Sequence, residues 1–300
     1  MKLSIGLIFL ICSTWATSKE ISITIDDPEV TESPLYSANE RNQKILKALD
    51  HYKVKAALFV CGMRIDNPEG KALLGEWDKK GHLIANHSYS HLYFPGKKNT
   101  LEVFREDFKK VEPLISGLKN FTKLFRFPYL KEGDTQEKRD GMRTALIDSG
   151  YSMGYVTIDA SDWYVDERLK KRLKDNPKAD IRGYRDFYIS HILDRASFYH
   201  DLSLKVFGKE IKHTLLIHHS LLNSLFLKDL ISALKKDKWK IISAKEAFKD
   251  PVFQIKPDVL PAGESIVWST AKQQGKYQEM LRYPAEDSVY EKDKMDKLSL

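Results

Sequence analysis

The chain has 300 residues, enough for one large domain or two small ones, and its 42% hydrophobic content supports a sizeable buried core. Charged residues at 30% and aromatics at 11% exclude an intrinsically disordered chain. A net charge of +7 reads either as a lysine-rich solvated surface or as attraction to an anionic partner. With no arginine cluster, RNA-binding motif or zinc-finger spacing in the chain, no nucleic acid is expected as that partner.

The first expected element is a leader. Met1-Lys2 gives a short positive start, Leu3 to Ile11 is apolar apart from Ser4 and Gly6, and small residues follow at Ser13, Thr14 and Ala16. This pattern predicts a secretory signal peptide over residues 1–16, cleaved after Ala16, and hence a periplasmic or secreted protein. A lipoprotein reading would use Cys12, but Ile11 stands where a small residue is wanted. No later apolar run reaches the length of a membrane span, so no transmembrane segment is expected. The chain has two cysteines, Cys12 and Cys61, so removal of the leader leaves Cys61 without an internal partner. Cys61 follows Ala56 to Val60 and reads as a small buried residue at a strand end rather than a nucleophile.

Strand-like runs then alternate with amphipathic stretches. Strands are predicted at Ile21 to Ile25, Ala56 to Val60, His82 to Ala85, Leu124 to Phe127, Gly154 to Ile158, Thr214 to Ile217 and Trp239 to Ile242. Ser37 and Glu40 form a candidate capping box ahead of Ile45, Leu46 and Leu49. Leu73, Leu74 and Trp77 share a helical face that Gly81 terminates. Leu101, Phe104, Phe108 and Val111 form another, ended or kinked by Pro113, and Leu222 to Lys236 is a further amphipathic helix. Val165 to Asp180 is charge-rich and reads as a surface insertion, and Lys272 to Leu300 as a polar tail. About seven strands over ~220 residues is the scale of a βα barrel or an open α/β sheet, in which chemistry belongs at the C-terminal ends of the strands.

Five groups of reactive residues fall at or just after those strand ends. Asp26 and Asp27 close the first strand, where adjacent carboxylates point in different directions, so one can bind a metal while the other acts as a base. An isolated Asp-Asp pair also reads as a solvated turn before Pro28. His87 and His91, four apart, would meet on one face of a helical turn and offer two imidazoles to one ion; the bland reading is a pair of surface histidines. With an aspartate they make three ligands, leaving a position open for water. Arg126, in Arg126-Phe127-Pro128-Tyr129, would lower the pKa of a neighbouring carboxylate, or simply be a structural arginine before a turn. Within Asp159 to Trp163 an aspartate could orient a histidine and Trp163 wall a sugar groove; an acidic loop with a core tryptophan is the alternative. Leu216-Ile217-His218-His219 ends an apolar strand in histidine, which taken singly is more often a satisfied core residue.

In order, these residues resemble the five motifs of the polysaccharide deacetylase family, carbohydrate esterase family four, over roughly Ile21 to Gln254. That family includes chitin, chitooligosaccharide and peptidoglycan deacetylases and acetylxylan esterases. The resemblance implies an α/β fold, a distorted, partly open (β/α) barrel with about seven parallel strands. It implies a single catalytic domain over 20–254, with residues 255–300 as a C-terminal extension. Asp-Pro-Val-Phe at 250–253 is similar to the end of that domain. By resemblance, Asp26 is the base, Asp27, His87 and His91 hold a divalent metal (zinc first, cobalt or another ion otherwise), and Arg126 tunes Asp26. The Tyr129 amide helps hold the oxyanion, Asp162 supports the acid His218, Trp163 lines the groove and Leu216 sits in the acetyl pocket. His82 is expected to be structural. Two departures stand out: Pro28 replaces the glycine that usually follows the paired aspartates, and His219 is a rival to His218. The resemblance implies an acetylated polysaccharide as substrate, with N-acetyl groups of peptidoglycan or chitin first, an O-acetyl esterase on acetylxylan second, and a non-catalytic glycan-binding protein third. It says nothing of oligomeric state.

Overall fold

Alternation of Ile21, Ile23 and Ile25 with Ser22 and Thr24 sets the centre of the molecule. In the computed structural model, which describes residues 19–281 and 288–300, all five are fully buried in strand β1 (Glu20–Asp26). The expected signal peptide and Cys12 lie outside the described residues. A strand covered on both faces is the mark of a parallel sheet between helices. Its two hydroxyls are satisfied in place: Ser22 and Thr24 donate to the carbonyls of His213 and Leu215.

Around β1 runs one curled, half-barrel sheet. Its other strands are β2 (Ala57–Val60), β3 (Leu83–Asn86), β4 (Phe121–Phe125), β6 (Ser152–Met153), β7 (Lys212–His218) and β8 (Lys240–Ile241). The order is β6-β4-β3-β2-β1-β7 with β8 also on β1, and every pairing is parallel. β7 pairs β1 along its whole length, so β2 and β8 divide the opposite edge, β2 taking Thr24 to Asp26 and β8 taking Glu20 and Ile21. A separate antiparallel pair joins β5 (Lys131–Gly133) to β9 (Ala262–Gly263).

The expected strand over Gly154 to Ile158 is a correction. Only Ser152 and Met153 pair with β4, while Ile158 forms an isolated bridge with Leu215 of β7. The stretch between them crosses the open side of the half-barrel. Gly154 is required there, because a Cβ would lie 2.4 Å from the Phe59 ring.

Helices cover the sheet. The Ser37–Glu40 capping box forms and opens α1 (Ala38–His51). A single turn, α2 (Gly62–Ile65), precedes α3 (Pro68–Lys79), which buries Leu73, Leu74 and Trp77. Pro113 opens a second short helix, α5 (Glu112–Ile115), after α4 (Leu101–Lys109), as its missing N–H permits. α6 (Gln136–Asp148) follows. The charged stretch taken as a surface insertion belongs mostly to α7 (Asp162–Asp175), which buries Val165, Leu169 and Leu173, spaced four apart, together with Asp162 and Asp166, and turns most of its other charges outward. Next come the long α8 (Arg182–Phe207), α9 (Leu221–Lys236) and the short α10 (Ala244–Ala247). Just ahead of the expected polar tail, α11 (Ile266–Gln274) buries Ile266, Val267 and Ala271, and within the tail α12 (Val289–Lys297) buries Met295.

Candidate active site

All five sequence groups converge on a cleft of about 360 Å³ at the C-terminal ends of the strands, lined among others by Asp26, Asp27, His87, His91, Tyr129, Trp163, Leu216 and His218. Parallel register brings them together, since Asp26 lies directly opposite His218 across the β1–β7 pair. Asp26 ends β1 in extended geometry, and Asp27 turns abruptly into left-handed backbone, φ 58°. That turn gives the neighbouring carboxylates different partners, Arg126 for Asp26 and His91 for Asp27.

The two histidines of the cluster do not sit on a helical turn, which corrects the sequence reading. They lie in a loop after β3, with Ser88 and His91 at φ 64° and 52°. Such backbone is costly for a side-chain-bearing residue and persists only where neighbours enforce it. Here the Asn86 side chain accepts from the Ser88 N–H at 2.8 Å, and Asp107 accepts from the N–H groups of Tyr89 and Ser90. The rings of His87 and His91 end 5.1 Å apart. One ligand atom from each of Asp27, His87 and His91 lies within 4.8 Å of the others, close enough for a single ion. His91 Nε2 is 3.4 Å from Asp27 Oδ2. His87 Nδ1 is 2.8 Å from the Arg126 carbonyl, which can only accept, so Nδ1 carries the proton and Nε2 keeps its lone pair for the cleft. Asp27 Oδ1 is buried without a hydrogen bond, facing only the Arg64 guanidinium at 3.4 Å. Two neutral imidazoles and an under-satisfied carboxylate are a donor set that fits a divalent cation. Burial pulls both imidazoles down to about 4, against the pull of Asp27, so they are unprotonated and able to ligate. Asp27 is buried too, but His91, His87 and Arg64 hold its carboxyl below the usual range.

Asp26 has a different environment. Burial pushes its pKa up and Arg126 pulls it back, leaving it at about 6. Arg126 Nη1 donates to Asp26 Oδ1 at 2.6 Å and to Thr24 Oγ1 at 3.0 Å, while its Nε donates to the Gly154 carbonyl at 2.9 Å. The guanidinium is therefore fixed from three sides. Asp26 Oδ2 lies 3.6 Å from His87 Nε2.

Opposite stands His218. Burial would lower its pKa, but the Asp162 carboxylate, helped by Asp26 and Asp27, raises it to about 9. Its Nδ1 donates to Asp162 Oδ1 at 2.8 Å, and its backbone N–H donates to Asp162 Oδ2 at 2.8 Å. Asn223, which the sequence reading missed, completes this frame by donating to Asp162 Oδ2 at 2.8 Å and to the His218 carbonyl at 2.9 Å. Asn223 sits in the first turn of α9, four residues after His219, a position with no sequence signal of its own. Arg64 and Glu167 also line the cleft and were missed. His219, the rival to His218, points into the interior: Nε2 is 3.2 Å from Asn42 Oδ1, and burial beside Arg41 lowers its pKa to about 3. His82 likewise packs on Trp77 and accepts from the Ala56 N–H at 3.1 Å.

Tyr129 stands on the rim, 44% exposed, with its ring 4.7 Å from that of His91. Asp159 and Trp163 form the facing wall.

The chain is also similar to known proteins. A family model described as polysaccharide deacetylase matches residues 15–146. Two peptidoglycan-N-acetylglucosamine deacetylases of Bacillus cereus are similar in sequence. One is 30% identical over 160 residues, covering 52% of this chain and 63% of that protein. The other is 27% identical over 121 residues, covering 40% of this chain and 42% of that protein. The chain thus spans less than two thirds of either relative. Among solved structures, the polysaccharide deacetylase Bc1974 of Bacillus cereus superposes with a TM-score of 0.54 at 20% identity, over 74% of this chain and 90% of that one. The wild-type BA3943 of Bacillus anthracis, a family-four pseudoenzyme, superposes with a TM-score of 0.51 at 18% identity, over 77% and 66%. At such identities these two structures attest the fold alone, whereas the sequence matches carry the likeness: over residues 15–146 the chain is similar to the polysaccharide deacetylase family.

Proposed function

We propose that the chain is a metal-dependent hydrolase that removes N-acetyl groups from a cell-wall polysaccharide, with the N-acetylglucosamine of peptidoglycan as the first candidate. The observation that carries this reading is the opposition, across one cleft, of a carboxylate near pKa 6 and an imidazole near pKa 9, with three candidate metal ligands beside the carboxylate. Two titratable groups pushed apart in this way suit a base and an acid working at neutral pH.

Asp27, His87 and His91 would hold the ion. A divalent cation bound there, zinc by preference for this donor set, supplies Lewis acidity for a carbonyl and acidifies water. Asp26, ionised above pH 6 and clamped by Arg126, accepts the proton of the attacking water. The Tyr129 backbone N–H donates to the developing oxyanion, a contact of a kind worth about 3 kcal/mol. His218 gives its Nε2 proton to the leaving nitrogen, and Asp162 on Nδ1 keeps the ring charged and aimed. An amine leaves poorly without that proton, so an imidazole kept charged at neutral pH suits amides, whereas activated esters need it less. Trp163 and Leu216 offer apolar surface to the sugar and the acetyl methyl. Two relatives carry names that state peptidoglycan N-acetylglucosamine deacetylation, which supports the choice of substrate. The leader-like N-terminus supports export to the periplasm or beyond.

The test is acetate release from peptidoglycan, chitooligosaccharides and acetylxylan, with and without chelator. Chelator-sensitive release from peptidoglycan is expected. Release from acetylxylan alone would make the chain an O-acetyl esterase. Stoichiometric zinc with no release from any polymer would favour a non-catalytic glycan-binding protein.

A further inference from the structure

Residues beyond the expected catalytic unit reach back to the cleft. The backbone N–H of Glu264 donates to the Leu130 carbonyl at 2.7 Å, on the wall that carries Tyr129. Two residues on, the N–H of Ile266 donates to the Val156 carbonyl at 2.8 Å, and the Ser265 hydroxyl donates to the Thr157 carbonyl at 2.8 Å. Val156 and Thr157 lead directly into Asp159 to Trp163, the opposite wall. One short strap, residues 262–266, therefore ties both sides of the cleft together.

The Tyr129 side needs such a tie. Tyr129 and Leu130 are consecutive side-chain-bearing residues in left-handed backbone, φ 55° and 57°. Isolated chain relaxes out of that region. β9 pairs with β5 immediately after it, and the Lys131 ammonium forms an ion pair with Glu264, itself buried. The fit leaves no slack: Gly263 has φ 123°, and a Cβ on it would lie 2.0 Å from the Leu130 carbonyl oxygen. Farther back the same segment is anchored on α6, where Arg143 donates to the Pro257 carbonyl at 3.1 Å and Arg139 pairs with Asp258 at 2.5 Å.

We propose that the strap fixes where the Tyr129 N–H points, and that Gly263 and Glu264 are positioning residues for the oxyanion contact. This rests on the deacetylase reading above. The strap lies outside residues 15–146, which the family model matches.

Gly263→Ala in the full chain tests it, read by acetate release from peptidoglycan, by zinc affinity in competition with a chromogenic chelator, and by amide hydrogen exchange. The expected result is a kcat lowered about 10- to 100-fold, below the full loss of an oxyanion donor, with KM and zinc affinity within about twofold. Exchange over 127–131 should quicken about tenfold while 87–91 stays protected. An unchanged kcat, or a kcat that falls in step with zinc affinity, overturns the proposal. If Gly263→Ala does not fold, Glu264→Gln is read the same way, with about a fivefold loss of kcat expected on the scale of a weakened ion pair; no loss overturns it. Should the wild type release no acetate from any glycan, the deacetylase reading fails by itself. The exchange measurement then still decides the strap: unaltered exchange over 127–131 in the variant rejects it, and faster exchange confined there upholds its hold on Tyr129.

Discussion

His218 and His219 are neighbours in sequence and opposites in chemistry. One faces the cleft with its pKa raised to about 9, the other faces the interior with its pKa lowered to about 3. Both are substantially enclosed, so burial alone does not separate them. Asp162 does, because a carboxylate at 2.8 Å outweighs the desolvation that His219, beside Arg41, has nothing acidic to offset. His87 and His91, which adjoin Asp27, and His82 and His213, which are buried among aromatic rings, are all held at low pKa by burial, so the neighbouring carboxylate and not the charge state sets the first two apart. The cleft histidines each face a carboxylate, His87 and His91 at Asp27 and His218 at Asp162. His82, His213 and His219 pack in the interior instead.

Substitutions on the two sides of that division should behave differently. The largest effect belongs to the ligand set. His91→Ala should abolish acetate release and lower zinc affinity at least about 100-fold, whereas His82→Ala should leave zinc affinity unchanged and only destabilise the fold. Equal zinc affinity in the two variants would sink the assignment of Asp27, His87 and His91. Next, His218→Ala should lower kcat/KM on an N-acetyl sugar about 1,000-fold but on an activated acetate ester less than about tenfold. His219→Ala should change either activity less than about threefold. Equal losses of His218→Ala on both substrates would contradict its role as the acid for the leaving group.

The third effect is a displaced pH limb. On the proposed mechanism His218 acts protonated, so the rate should fall as pH rises through about 9. Asp162→Asn removes the charge that raises this pKa, so the limb should move down by about one to two pH units while kcat falls about 100-fold. A basic limb that stays in place in Asp162→Asn would mean that another group sets it.

The sequence disclosed the cleft better than it disclosed the supports of the cleft. Asp26, Arg126 and His218 stand at or just after strand ends, and Asp162 opens α7 after the crossing segment, so a one-dimensional pattern carried three-dimensional neighbours. The turn geometry of the His87–His91 loop was not legible, because a spacing of four suits a helical turn and gives no warning that Asn86 and Asp107 bend the chain otherwise. Asn223 was invisible for a related reason: an amide in a helix has many uses, and only the fold brings it to Asp162. The 154–158 stretch misled by composition, since a crossing segment between two strands is as apolar as a strand. α7 misled in the reverse direction: its charges outnumber the three apolar residues that decide its packing.

The smallest effect tests the interior side of the division through stability. His82, His213 and His219 have folded pKa values of about 4, 3 and 3, below the ordinary 6.5. Above pH 6.5 neither the folded nor the unfolded chain protonates them, and their contribution to stability is intact. Below 6.5 the unfolded chain takes up these protons and the folded chain does not, so stability should fall with pH until the folded values are reached, by at most about 1.4 kcal/mol per pH unit for each group. Asp26 works the other way: at about 6 when folded, against 3.8 as its ordinary value, it binds its proton in the folded state first and offsets one of the three between pH 6 and 4. His219→Gln keeps an amide within reach of Asn42 and removes one titrating group. Its urea midpoint, followed from pH 7 to 4, should therefore decline less steeply than the wild type by about one proton's worth, and a parallel decline would mean that His219 is already charged inside the fold.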